Sequence, residues 1–296
     1  MKKFHTYLPP FCAVFFCAAV SVFAQQPGTR DIFPEEFVRA RPGKPAATAR
    51  KPVYRPAEAK TTTAPKTTAP AGYQQLGMTV WRLRRARNTD TAVRIIVQGD
   101  AESAEWVPER IEANTPLNMG ERIRFSFEAQ QTGYLYVIDR EQYADGSVGD
   151  PHLIFPTTRT RNGDNQVSAG RIIEIPGQDD RPNFFTMRHS REDQTGEMLT
   201  VIVAPQPLAG VTIGEKSLRL TNEQVAQWEK TWGARVERFE MADGAGKSWT
   251  KAEQEAGANA TRQLTQDDPG PQTVYRVATN PDAPLLVRVG LRYRRR

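Results

Sequence analysis

From residue 78 onward, apolar side chains recur mostly at every second position. Ile123, Phe125, Phe127 and Ala129 alternate with Arg122, Arg124, Ser126 and Glu128, which predicts a half-buried strand. Residues 134–138, Tyr-Leu-Tyr-Val-Ile, form an unbroken apolar run that suits a central strand covered on both faces. Near the end, Val287, Val289, Leu291 and Tyr293 fall on one face, with Arg288, Arg292 and Arg294 on the other. Further strand signals lie at 80–83, 93–97, 153–155, 172–175, 184–187, 199–203 and 274–277. Turn residues separate them: Asp145-Gly146, Asn162-Gly163-Asp164-Asn165 and Pro176-Gly177. Many short strands so punctuated predict a mainly β, antiparallel domain, sandwich-like or an open barrel.

Two stretches switch to helical spacing. Thr221 is a helix N-cap, with Gln224 at the capping-box position and Gly233 as the stop. Between them Val225, Trp228 and Trp232 share one face, an aromatic stripe that reads as core packed on a sheet. A second helix is expected over 249–264, capped by Ser248 or by Thr250 with Glu253. The expected domain therefore spans 78–296, with two packed helices near its C-terminus.

The N-terminal part has a different texture. Residues 1–24 open with Lys2 and Lys3, continue with an apolar run over 11–22 and end at Ala24. That is the pattern of a signal peptide cleaved between Ala24 and Gln25; the run is too short for a membrane-spanning helix, which needs roughly 20 residues. The expected location is periplasmic or secreted. Cys12 and Cys17 leave with the leader, removing disulfides and thiolate chemistry from the processed chain.

Residues 25–77 read as a disordered linker rich in Pro, Ala, Thr and Lys, with too little apolar surface to fold. Within it, residues 31–38 (DIFPEEFV) form a small apolar patch, either a remnant beside the cleavage site or a short docking peptide. The chain carries +6 in total, and +4 without Lys2 and Lys3. The excess is concentrated in Arg41, Lys44, Arg50, Lys51, Arg55, Lys60 and Lys66. A basic tail before a near-neutral domain argues against nucleic acid. It suits an anionic envelope polymer or lipid surface, or simply a solvated tether.

Candidate chemistry is sparse. Gly244-Ala245-Gly246-Lys247-Ser248 lacks the first glycine of a phosphate loop, whose place is held by Met241. It reads as a turn before a helix. Residues 139–150 gather Asp139, Glu141, Asp145 and Asp150, oxygen ligands of the kind calcium favours. Gly146 stands eighth in that stretch rather than sixth, so it does not fit the EF-hand order, and a polar hairpin loop explains the same residues. His152 and His189 are the histidines left after cleavage, with no nucleophile elbow or zinc helix around them. The reading assigns no catalytic residue and no cofactor. Polar, Arg-rich loops offer partner-binding candidates at Arg159, Arg161, Asp164, Asp179 and Arg181.

Six blocks in order and at consistent spacing carry a resemblance: GYLYV (133–137), Asp145-Gly146, LIFP (153–156), NQVSAG (165–170), EIP (174–176) and GEMLTVIVAPQPL (196–208). Over 133–208 the chain resembles the bacterial domain of unknown function 4384 (DUF 4384) family, with a family-like core over about 120–208. The resemblance implies an exported or accessory module with no accepted catalytic residues. Taken together, the expectation is a monomeric, non-catalytic binding or assembly module of the cell envelope, its partner an envelope polymer or exported protein. A periplasmic polymer hydrolase and a calcium-stabilised adhesin are the alternatives.

Overall fold

The computed structural model describes residues 33–43, 52–57, 72–98, 103–258 and 262–294. The leader, its cleavage point and both cysteines lie outside them. The chain begins with α1 (Phe33–Arg39), β1 (Tyr54–Pro56), β2 (Gln74–Arg85), β3 (Ile95–Gln98) and β4 (Ser103–Ile111). It continues through β5 (Arg122–Ala129), β6 (Gly133–Tyr143), β7 (His152–Phe155), β8 (Gln166–Val167), β9 (Ile172–Ile175), β10 (Phe185–Thr186) and β11 (Gln194–Ala204). It ends with β12 (Leu218–Arg219), α2 (Asn222–Trp232), β13 (Val236–Met241), α3 (Lys251–Gly257), β14 (Thr273–Val277) and β15 (Leu285–Arg292).

Two antiparallel sheets result, neither closed into a barrel. The larger runs β1-β13-β14-β2, and β2 is long enough to take β14 along its first half and β4, then β3, along its second. On the other side of β2 lies β5, flanked in turn by β9 and β10. The smaller sheet runs β12-β7-β6-β11-β15, with β8 beside the start of β6.

The alternating positions meet between the sheets. Ile123, Phe125 and Phe127 from β5 pack against Leu135, Val137, Val201, Val287 and Val289 from the smaller sheet. The apolar run in β6 is covered twice, as its pattern demands. Leu135 and Val137 point into this core, while Tyr136 and Ile138 lie under α2 with Val225, Leu220 and Ile202. Thr221 caps α2 by accepting from the Gln224 N–H at 3.0 Å, and Trp228 and Trp232 stack at 5.8 Å on the same helix.

The structure departs from expectation in several places. The second C-terminal helix stops at Gly257 rather than running to Leu264; Leu264 is instead buried with Ile172 and Ala256, its N–H donating to the Gly170 carbonyl. Its cap is Thr250 with Glu253, a complete capping box. Thr250→Ala should cost about 1 kcal/mol of unfolding free energy, measurable by urea denaturation. A third helix, α1, and the short strand β1 fall inside residues 25–77, and β2 already starts at Gln74. Residues 44–51 and 58–71 lie outside the described part.

The largest difference concerns the polar face of β5. Arg124, Ser126 and Glu128 are as buried as the apolar residues between them. They are covered by α1, α3 and residues 262–272, which form a third layer on the outer face of the larger sheet.

Candidate functional site

That third layer is built from side chains of unusual polarity for a buried surface. Three ion pairs lie in it: Arg41–Glu128, Arg110–Glu253 and Arg124–Glu174. Trp81 donates to Ser126 Oγ at 2.6 Å and its ring lies 6.0 Å from that of Trp249. The Arg110 guanidinium sits 5.1 Å from the Trp81 ring centre and that of Arg124 5.5 Å from Trp249. Burying charges without partners is costly, so each pair is satisfied further by backbone. Arg110 donates to the Gly270 carbonyl at 2.9 Å and Arg124 to that of Pro176 at 2.9 Å.

One part of this layer is an acceptor for a segment distant in sequence. Gly77 on β2 faces outward, and a Cβ there would lie 2.6 Å from Pro271 Cγ and 2.7 Å from Phe37 Cζ. The missing side chain is thus the space that the Phe37 ring fills, walled by Phe239 and Val274. Beside Gly77 on β5 stands Glu128, which accepts from Arg41 Nε and Nη2, both at 2.8 Å. Arg41 also donates to the carbonyls of Thr265, Asp268 and Pro269. Burial works against the Arg41 charge, but Glu128 outweighs it and raises the pKa.

A second contact follows along the segment. β1 extends the larger sheet beside β13, pairing Tyr54 with Met241 and Pro56 with Phe239. Tyr54 Oη donates to the Pro271 carbonyl at 2.8 Å, and a Cβ on Gly270 would lie 2.4 Å from that hydroxyl. Arg41 is therefore not a solvated charge of the tail, as its composition suggests: it is 3% exposed and paired. A cavity of about 10 Å³ remains between Arg41, Thr79, Trp81, Glu128 and Glu253, room for about one water. Gly77→Val should push Phe37 out. Since burying such a ring is worth about 2 kcal/mol, hydrogen exchange of the amides of 37–41 should quicken roughly 10–100-fold.

The predicted oxygen ligands fall in two places. Asp145 accepts from the backbone and hydroxyl of Ser147 at the tip of a hairpin, which holds its pKa below the ordinary value. Asp150 pairs with Arg219 at 2.5 Å. Asp139 and Glu141 instead face inward from β6 at one end of the sandwich. Among the described residues no group of three or more His, Cys, Asp or Glu is placed to hold a metal ion.

At that end, register brings a third acid that sequence reasoning missed. Glu197 on β11 stands directly opposite Glu141, with Leu199 opposite Asp139. Tyr293 donates to Glu197 and Tyr143 to Glu141, and the His189 ring meets Tyr293 edge-on at 5.3 Å. Asp139 Oδ1 and His189 Nδ1 are buried without hydrogen-bond partners. Burial, then repulsion from Glu197 and Glu141, pushes the Asp139 carboxyl up to about 8. Burial raises Glu197 as well. His152 on β7 stands opposite Asp139 in the β6–β7 ladder, with Nδ1 3.1 Å from the Asp150 carbonyl.

The Arg-rich loops form a separate cluster beside the start of β6, where Asn165 donates to the Leu135 carbonyl. Arg161 and Asn162 both take the left-handed conformation, φ +53° and +54°, a costly arrangement for two successive non-glycine residues. The Arg161 side chain is buried, 3.5 Å from Asp164, which also holds Arg171 at 3.1 Å. Asp180 accepts from the backbone N–H groups of Arg161 and Gly177. Arg159, Asp179 and Arg181 are exposed, and Arg181 donates to the carbonyls of Asp179 and Asp180. The Gly244–Ser248 stretch forms a turn bonded to Arg110 of β4, two residues ahead of α3.

Residues 117–207 match the family model described as Domain of unknown function (DUF4384). No curated protein and no solved structure matches the chain. The DUF4384 segment takes in β5 to β11 and supplies Glu128, Arg124 and Glu174 to the third layer. The segments that cover those residues from outside the sheet, α1, Arg41, α3 and residues 262–272, lie outside it. So do β2 and β15, the strands that β5 and β11 need as neighbours.

Proposed function

We propose that this chain is an exported, non-catalytic binding or assembly module of the cell envelope, and that its binding surface is the acceptor on the outer face of the larger sheet. One observation carries this reading. The acceptor is shaped for a short peptide, with a glycine-lined seat for an aromatic ring and a buried carboxylate for an arginine four residues on. The chain's own Phe37 and Arg41 occupy it. The leader pattern of residues 1–24 supports export, and the basic residues beyond Arg41 add a general attraction to anionic surfaces.

Sedimentation with envelope from the source organism tests it. Arg41→Ala weakens the hold of the resident segment and frees the acceptor, so the pelleted fraction should rise several-fold and stay high in strong salt. Binding that disappears with salt and ignores Arg41→Ala would place the affinity in the basic tail and overturn the reading.

The hydrolase alternative has one observation in its favour. Asp139, held protonated at neutral pH, lies among two further acids, and a proton donor beside a carboxylate is the equipment of polymer hydrolysis. Asp139→Asn should then abolish any release of soluble fragments from envelope polymer while sedimentation is unchanged.

A further inference from the structure

We propose that the outer face of the larger sheet carries a second binding site, at the end of β5 far from Glu128, where Arg122 takes a carboxylate group of an acidic polysaccharide. The site is independent of the acceptor. Arg41, Arg110 and Arg124 on this face each hold a glutamate and at least one backbone carbonyl. Arg122, two residues before Arg124 and on the same face of β5, has neither a hydrogen bond nor an ion pair among the described residues. Its guanidinium lies instead 4.7 Å from the centre of the Trp106 ring and 4.4 Å from that of Phe184. Leu83 and Thr186 flank it in the sheet, and Leu83, Ile95, Phe184 and Trp106 belong to one apolar cluster.

Aromatic rings lying against a guanidinium hold it in place and take water from its faces, while its N–H edge stays able to bond in its own plane. Arg122 is half-buried and none of its nitrogens is fully buried, so that edge reaches solvent. A planar fork of donors with its faces covered fits a planar group with two oxygens, a carboxylate. The neighbouring acids of the chain are engaged elsewhere: Glu121 accepts from Asn118, and Glu105, next to Trp106, from Arg94. Arg85 is exposed and stands 5.3 Å from the centre of the same Trp106 ring, which adds a second positive charge beside the first. A carboxylated polysaccharide suits this place better than a peptide. Peptides commonly bind a sheet by adding a strand to its edge, and on the nearby edge strand β3 the Ile96 carbonyl is already taken by Asn183 Nδ2 at 3.0 Å. The half-buried Trp106 ring offers a sugar an apolar surface beside the cation.

Titration calorimetry of the full chain with polygalacturonate at physiological salt tests the site. Arg122→Met keeps a long apolar stem against both rings and removes the fork, so affinity should fall about 10-fold or more while the melting temperature stays close to that of the unaltered chain. Arg122→Lys keeps the charge but cannot form paired bonds, and should still lose affinity several-fold. The basic residues beyond Arg41 are the same in all three proteins, so their general attraction does not enter the comparison. Unchanged affinity in Arg122→Met overturns the proposal, and so does an unaltered chain that fails to bind polygalacturonate. If Arg122→Met does not fold, as judged by its β-sheet circular dichroism, Arg122→Lys decides alone, and unchanged affinity in it overturns the site. Poly-glutamate and vesicles of anionic phospholipid are titrated in parallel. A dependence on Arg122 seen with either of these and not with polygalacturonate overturns the polysaccharide as the partner.

Discussion

Replacing Arg124 with alanine should lower the unfolding free energy by about 3–5 kcal/mol, the cost of stranding one partner of a buried ion pair. Arg124 and Glu174 are each 2% exposed, deep in the layer between the larger sheet and α3. Arg124 Nη2 bonds Glu174 at 2.8 Å and the Pro176 carbonyl at 2.9 Å. Glu174 has little freedom to turn toward water, because α3 crosses it so closely that a Cβ on Gly257 would lie 2.2 Å from its carboxyl. Burial raises Glu174 to about 7 even with Arg124 drawing it down, and burial lowers Arg124. Desolvation therefore outweighs mutual attraction on both sides, and the pair is retained for fit more than for net stability. From this follows the second half of the experiment. Arg124→Met with Glu174→Leu should recover most of the loss, since no charge is then left buried. Urea unfolding of both single variants and the double closes the cycle; a double variant as unstable as Arg124→Ala would refute the argument.

The same pair shows where sequence reading succeeds and where it stops. The alternation of β5 identifies Phe125 and Phe127 as core, and the run at Tyr134–Ile138 identifies a strand covered twice; both follow from side-chain chemistry and a period of two. What alternation reports is the polarity of a face, not what lies over it. Arg124 and Glu128 look the same in sequence whether they meet water or one another's partners, because those partners, Glu174 and Arg41, are brought by sheet pairing and by a segment some way up the chain. The docking segment left one legible trace: Phe37 lies in the patch 31–38 that suggested a docking peptide, whereas Arg41, four residues on, reads only as one of the linker's basic residues. Its glycine seat at Gly77 carried no signal, since a glycine in a strand has many explanations. Similarly Asp139 and Glu141 stand out as adjacent acids, while Glu197 joins them only through the register of β6 with β11.

That cluster sets the pH dependence. The domain should lose stability as pH rises from about 5 to about 8, and Asp139→Asn should remove much of the slope. The sign follows from which state holds more protons. Asp139 titrates near its ordinary 3.8 when unfolded and at about 8 when folded, so between those values the folded state binds more protons. Stability then falls with pH by up to about 1.4 kcal/mol per unit for one such group. Below the unfolded value both states are protonated and the term vanishes; above about 8 both are ionised and the penalty is complete. Glu174, raised to about 7 from 4.5, adds the same sign over the lower part of the window. Carboxyls held low by their partners, such as Asp90 beside Arg84, act the other way, but only as pH falls below about 4, outside the window. Asparagine keeps the shape of Asp139, carries no charge, and relieves Glu141 on its own strand and Glu197 on β11 of a repelling neighbour; Tyr293 and His189, which close the cluster from the far side, keep their contacts. Melting temperatures of both proteins across this range decide the matter. A native protein that grows more stable toward pH 8, or a variant with an unchanged slope, would show that the acids at this end of the sandwich remain ionised and solvated.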